Sequence, residues 1–143
     1  MQSTKIHLSK KTLLRLNRRY PKTRITNISS RERALEILEI FLKRKHPKIV
    51  LLAAPKKTGA DLRYRRTPNG SFYDVEVKGT ADKDIAWGKL RMSGTTSCKG
   101  VRQGRPVYRV FDVYSDSPQL RILKWNKDFT LKEEPRWTFI EKK

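Results

Sequence analysis

A chain of 143 residues has the length of one compact domain and can bury a core although 34% of its residues are charged. Lys and Arg number 34 against 14 Asp and Glu, a formal net charge of +20 that points to a polyanionic partner, nucleic acid ahead of an acidic membrane surface. No apolar run approaches the roughly 20 residues of a membrane-spanning helix, and one cysteine, Cys98, with two histidines leaves no material for a disulfide framework, a multi-cysteine zinc site or a histidine-rich cluster.

The first 31 residues hold no carboxylate, and their Lys, Arg, Ser and Thr content faintly resembles a mitochondrial transit peptide; no apolar h-region suggests secretion. The expected location is therefore cytoplasmic and nucleoid-associated, with an organelle as the alternative. Ser9 to Tyr20 predicts a short helix with Leu13, Leu16 and Tyr20 on one side. Lys10, Lys11, Arg15, Arg18 and Arg19 ring the remainder and are candidate phosphate contacts, or a solvated face. Residues 1–28 are expected to form a basic N-terminal arm, and 29–143 the domain itself. Ser29 with Glu32 makes a capping box for RERALEILEIFLKRK, whose Ala34, Leu35, Leu38, Phe41 and Leu42 share one apolar face.

Lys48 to Ala54, bounded by Pro47 and Pro55, reads as a buried strand. Leu62 to Arg66 and Ser71 to Lys78 flank Asn69-Gly70, which can supply the positive φ of a tight antiparallel hairpin. ADKDIAWGKLRM (81–92) predicts a helix interrupted by Gly88, and SGTTSCKGVRQGR (93–105) a loop. Within that loop Lys99, Arg102 and Arg105 are candidate phosphate contacts. Pro106 to Tyr114 and Gln119 to Lys124 alternate as strands around SDSP, and the tail with Trp137 and Phe139 allows one more. Trp87 and Trp125 can stack on unpaired bases but are more often core or rim residues. The plan is α/β or α+β, a mixed sheet with helices against it.

One constellation carries chemistry. Glu76 and Lys78 share a strand face while Val75 and Val77 point to the other, and hairpin pairing brings Asp61 beside Glu76. Two carboxylates suffice for magnesium, which takes hard oxygen ligands and completes its shell with waters and substrate phosphate. Such an ion acidifies a bound water and neutralises charge on a phosphoryl transition state, and Lys78 would orient that water or pair with a phosphate oxygen. The bland alternative is an exposed Glu76–Lys78 ion pair worth about 0–1 kcal/mol, with Asp61 in a turn.

The conjunction of GADL and DVEVKGT, preceded by a helix glutamate and followed by VYRVFDVY, resembles the PD-(D/E)xK nuclease superfamily. More narrowly it resembles the DUF3883 branch, related to the C-terminal domain of plant NO VEIN proteins. The resemblance runs from Arg31 to Lys124 and implies a restriction-endonuclease-like sheet. It places Asp61, Glu76 and Lys78 at the metal and catalytic positions and Glu32 at the helix glutamate, with Glu39 further along. Arg31 stands where the family has glycine, no proline precedes Asp61, and Glu36 is the alternative helix carboxylate. The implied function is a magnesium-dependent (or manganese-dependent) DNA endonuclease of restriction, homing or junction-resolving type, with RNA as the alternative nucleic acid; because duplex cutting usually needs two sites, symmetry makes a homodimer the expectation. The alternatives are a non-catalytic nucleic-acid-binding protein on a nuclease-derived fold, or a nuclease subunit of a larger defence or recombination complex.

Overall fold

The computed structural model describes residues 3–92, 94–133 and 137–143. In chain order its elements are β1 (Thr4–Lys5), α1 (Lys10–Arg19), α2 (Asn27–Lys45), β2 (Val50–Leu52), β3 (Leu62–Arg65) and β4 (Tyr73–Gly79). There follow β5 (Arg91–Met92), α3 (Thr95–Arg102), β6 (Val107–Phe111), β7 (Gln119–Leu123), β8 (Phe129–Glu133) and β9 (Trp137–Glu141). A six-stranded mixed sheet runs β1-β7-β6-β4-β3-β2, and a three-stranded sheet runs β5-β9-β8. Only the central β4–β6 pair of the larger sheet is parallel.

The β4–β6 register sets Glu76 against Val107, Val77 against Tyr108 and Lys78 against Arg109. Because side chains alternate, Val75, Val77, Tyr108 and Val110 face one core, which holds Leu16 of α1 and Ile37 and Leu38 of α2. The opposite face of β6 sends Val107 and Phe111 into a second core with Met92, Val101, Phe129 and Phe139. Glu76 and Lys78 therefore point toward the side covered by α3 and the small sheet. Helix α2 lies close on β4 because Gly79 has no side chain: a Cβ there would sit 2.4 Å from that of Ala34 and 2.7 Å from the Ser30 carbonyl oxygen.

Several expectations are corrected. Helix α2 starts earlier, capped by Thr26, whose hydroxyl accepts from Ser29 N–H at 3.0 Å while Ser29 Oγ accepts from Thr26 N–H at 2.9 Å. Glu32 thus sits in the second turn, and the boundary at residue 28 falls inside the helix. The arm expected over 1–28 packs into the larger core through Ile6, Leu16 and Tyr20, with β1 paired to β7. Arg33 of α2, fully buried, ties it there: Nε donates to Val113 O at 2.6 Å, and Nη1 to Asn17 Oδ1 at 2.9 Å and Tyr20 O at 3.1 Å. The strand expected over 48–54 is the short, half-exposed β2 at a sheet edge.

The hairpin closes through a longer loop in which Gly70 N–H donates to Thr67 O at 3.0 Å, without positive φ at Asn69 or Gly70. The stretch 81–92, expected as a helix, is irregular up to a turn at Trp87–Lys89 and then β5. The stretch 93–105, expected as a loop, contains α3, whose Cys98 and Val101 are buried; Ser93 lies outside the described residues. The tail supplies the hairpin β8–β9, with Glu134–Arg136 outside the described residues. Trp87 packs against the second core and Trp125 is 37% exposed. No helix among the described residues is long and apolar enough to cross a membrane.

Candidate functional site

Strand β3 begins at the pair Leu62–Val75, so Asp61 stands just before it and, continuing that register, opposite Glu76. Its backbone N–H donates to Val75 O at 3.0 Å, and its Oδ2 accepts from Val77 N–H at 2.7 Å. The side chain thus replaces a missing strand partner and is locked against β4. Glu76 is only 2% exposed. Asp61, Glu76 and Lys78 line one cavity of about 220 Å3, with Ser97 of α3 and Arg31 of α2 on its walls.

Burial is the largest cause pushing the Glu76 carboxyl up, to about 7, and the Asp61 charge is the second; Lys78 and a hydrogen bond from Arg105 pull the other way. A buried carboxyl facing a second carboxylate is the electrostatic situation that a divalent cation relieves. Arg105 donates from Nη1 to Glu76 Oε1 at 3.2 Å and from Nη2 to Thr58 O at 2.8 Å, its side chain 11% exposed. It is therefore an internal partner of the site rather than the exposed phosphate contact expected. The guanidinium fits because residue 100 is glycine: a Cβ there would lie 2.5 Å from Arg105 Cζ.

Glu32 is exposed and lines an adjoining cavity of about 390 Å3 together with Asp61, Ala60 and Val77. Glu36 is elsewhere: its carboxylate accepts from Tyr20 Oη and from Arg19 Nη1 at 3.3 Å, so it fastens α1 to α2. Glu39, half-buried with its carboxyl raised mainly by burial, lines none of these cavities. Lys10, Lys11, Arg15, Arg18 and Arg19 are exposed on α1, and Lys99 and Arg102 on α3, away from the cavity walls.

The cations that do surround the site were missed. Arg31 lines the cavity of Glu76, that of Glu32, and a third of about 460 Å3 in which Lys89, Arg91 and Arg109 also stand. Arg109 is 2% exposed; burial lowers its pKa to about 10, so it stays charged at neutral pH. Arg109 lay in a segment read as a strand, and its place opposite Lys78 appears only in the folded sheet. Arg91 lay in a segment read as a helix.

Among the described residues no cluster of three or more His, Cys, Asp or Glu side chains is present to hold a metal alone. The donor set nevertheless fits magnesium, which is bound through one or two carboxylates with waters and phosphate completing its shell. Asp61 and Glu76 are hard oxygen donors in one cavity, and the Arg105 bond falls on a single Glu76 oxygen. No family model, curated protein or solved structure matches the chain.

Proposed function

We propose that the protein is a metal-dependent endonuclease that hydrolyses phosphodiester bonds in DNA, built on a restriction-endonuclease-like sheet. The observation that carries this reading is the convergence of Asp61 and Glu76 with Lys78 in one cavity, where burial, and after it the Asp61 charge, push the Glu76 carboxyl up to about 7. The mixed sheet with its parallel central pair presents all three from the β3–β4 hairpin. A bound magnesium ion would supply charge neutralisation and an acidified water.

The chain's own residues do the rest. Asp61 and Glu76 would hold the ion, with Asp61 fixed by the Val77 N–H. Lys78 places an ammonium where a phosphate oxygen gains negative charge as water attacks phosphorus and the bond to the leaving oxygen breaks. Arg31 extends that positive wall, and the net charge of +20 draws the polyanion in. Glu32 is a further acceptor beside Asp61 through which a water can be oriented.

The Glu76–Arg105 pair favours a second reading, a nucleic-acid-binding protein that keeps the fold without cutting, since an arginine alone can satisfy a buried glutamate. A nuclease active only within a larger complex is a third. One experiment separates the first two. Plasmid cleavage with and without magnesium, alongside calorimetric metal titration, is measured for the wild type, Glu76→Ala and Lys78→Ala. Glu76→Ala is expected to lose both cleavage and site-specific metal binding while keeping DNA binding. Lys78→Ala is expected to bind metal yet cut about 100-fold or more slowly. A wild type that neither binds magnesium nor cuts in its presence supports the binding-only reading.

A further inference from the structure

The cavity of about 460 Å3 at the C-terminal end of β4 has no role in the hydrolysis just described. Its lining is of two chemistries. Arg31, Lys78, Lys89, Arg91 and the buried Arg109 stand among it together with Ile25, just before α2, and Ile28 in its first turn. Ile25 is 51% and Ile28 62% exposed, so in the free protein these aliphatic side chains cover little. No carboxylate is among the described residues lining the cavity, although Asp82, outside it, pairs with Lys89 at 2.8 Å. Arg109 holds Ile85 O firmly from Nε at 2.8 Å, but its two terminal nitrogens reach backbone carbonyls only at 3.4 Å. Bonds that long are weak, so the Arg109 charge acts on the cavity mainly through its field.

Resting on the nuclease reading, we propose that this cavity takes one unpaired nucleotide next to the phosphodiester held at Asp61 and Glu76. The favoured substrate is then DNA with a single-stranded step beside the bond to be cut, rather than continuous duplex. Three observations converge on it. The volume of about 460 Å3 lies in the range of about 300–1,000 Å3 of small-ligand sites, room for one nucleotide. Arg31, Lys78 and Gly79 line this cavity and the carboxylate cavity alike, so one strand can pass from the first to the second. The mixed lining suits a nucleotide: cations for its phosphate, Ile25 and Ile28 for the flat face of a base or sugar, and Asn27 for a base edge. An enzyme that seats a base in a pocket must first unstack it, and a base already single-stranded costs least.

The test is fluorescence anisotropy in chelator, where no cutting occurs, with a labelled continuous duplex and the same duplex carrying a short single-stranded flap. The wild type is expected to bind the flapped DNA about tenfold more tightly, about 1.4 kcal/mol. Ile25→Ser/Ile28→Ser and Arg91→Ala variants are each expected to reduce the preference to within about twofold, with duplex affinity of the serine variant unchanged. The serine changes are at exposed positions, and a thermal melt matching the wild type verifies folding. Equal wild-type affinity for the two DNAs, or a preference that survives the serine changes, overturns the proposal. Failure of magnesium-dependent cleavage would instead remove the nuclease reading and leave the binding comparison standing.

Discussion

Asp74 and Glu76 stand two residues apart on the same face of β4, yet their surroundings drive them in opposite directions. Asp74 meets Arg63 across the hairpin, Nε to Oδ1 at 2.7 Å and Nη2 to Oδ2 at 3.0 Å, with both side chains about a quarter exposed. Hydrogen bonding from Arg63 is the largest influence there, and it lowers the Asp74 carboxyl. Glu76 meets Arg105 at 3.2 Å with only 3% of its side chain exposed, and burial together with Asp61 raises its carboxyl to about 7. One carboxylate is settled by its arginine; the other is not. An ion pair on a strand face is thus the right description of Asp74, and an electrostatic demand for more positive charge is the right description of Glu76.

The largest effect expected from this contrast is on stability. Arg105→Ala strips Glu76 of its hydrogen-bonded cation in a buried position, and breaking a buried pair costs about 3–5 kcal/mol. Urea denaturation in chelator at pH 8, where Glu76 is ionised, measures it. Magnesium at tenfold its dissociation constant is expected to return about 1.4 kcal/mol if Asp61 and Glu76 bind the ion. A loss near zero would show that Glu76 does not depend on Arg105, and the two ends of β4 would then be alike.

The next effect is on pH dependence, where the two carboxylates carry opposite signs. Glu76 has its folded pKa raised from 4.5 to about 7. Its contribution to stability is therefore full below about pH 4.5 and is lost as pH rises through about 7, on the order of 3 kcal/mol in all. Asp74, lowered from 3.8, contributes above that value and loses its contribution as pH falls. Comparing chelator-treated wild type with Glu76→Gln between pH 4.5 and 8 is expected to show the wild type falling relative to the variant. Magnesium should shift that fall to lower pH, because an ion on the carboxylate competes with the proton. Parallel curves would mean that Glu76 titrates like an exposed glutamate.

What the sequence disclosed divides along the same line as the chemistry, between local and distant causes. The hairpin of Asp61 and Glu76 was legible because alternation and a turn lie within one short stretch, and α1 and α2 because their apolar residues recur at helical spacing. Helix α3 was not. Two Thr and a Gly weaken its intrinsic preference, and what holds it is burial of Cys98 and Val101 against strands far along the chain. The segment before β5 failed in the opposite sense. Ala86 takes φ of 51°, and Arg109 holds the carbonyl of Ile85 from another strand, so a helical pattern is overridden by a distant guanidinium.

Arg105 illustrates the same limit within the site itself. Its neighbourhood of Gly, Lys and Arg reads as a surface loop, and only the folded chain shows that Gly100 opens the space through which its guanidinium turns inward to Glu76. The motif residues were found because they are close in sequence. The cations around the site, Arg31, Arg105 and Arg109, come from α2, the loop after α3 and β6, and are brought there by packing.

The smallest expected effect is the control on which the contrast rests. Asp74→Asn removes a carboxylate from the same face of β4, two residues from Glu76, but it breaks a pair that solvent already screens. The thermal midpoint is expected to fall far less than in Arg105→Ala, and the acid-side loss of stability is expected to shrink, since the lowered Asp74 pKa is one of its sources. Metal affinity by calorimetry and magnesium-dependent cleavage are expected to match the wild type, because Asp74 does not line the cavity shared by Asp61, Glu76 and Lys78. If Asp74→Asn slowed cleavage as strongly as Lys78→Ala, charge anywhere along this face would suffice to explain the activity, and the assignment of particular roles to Glu76 and Lys78 would fall.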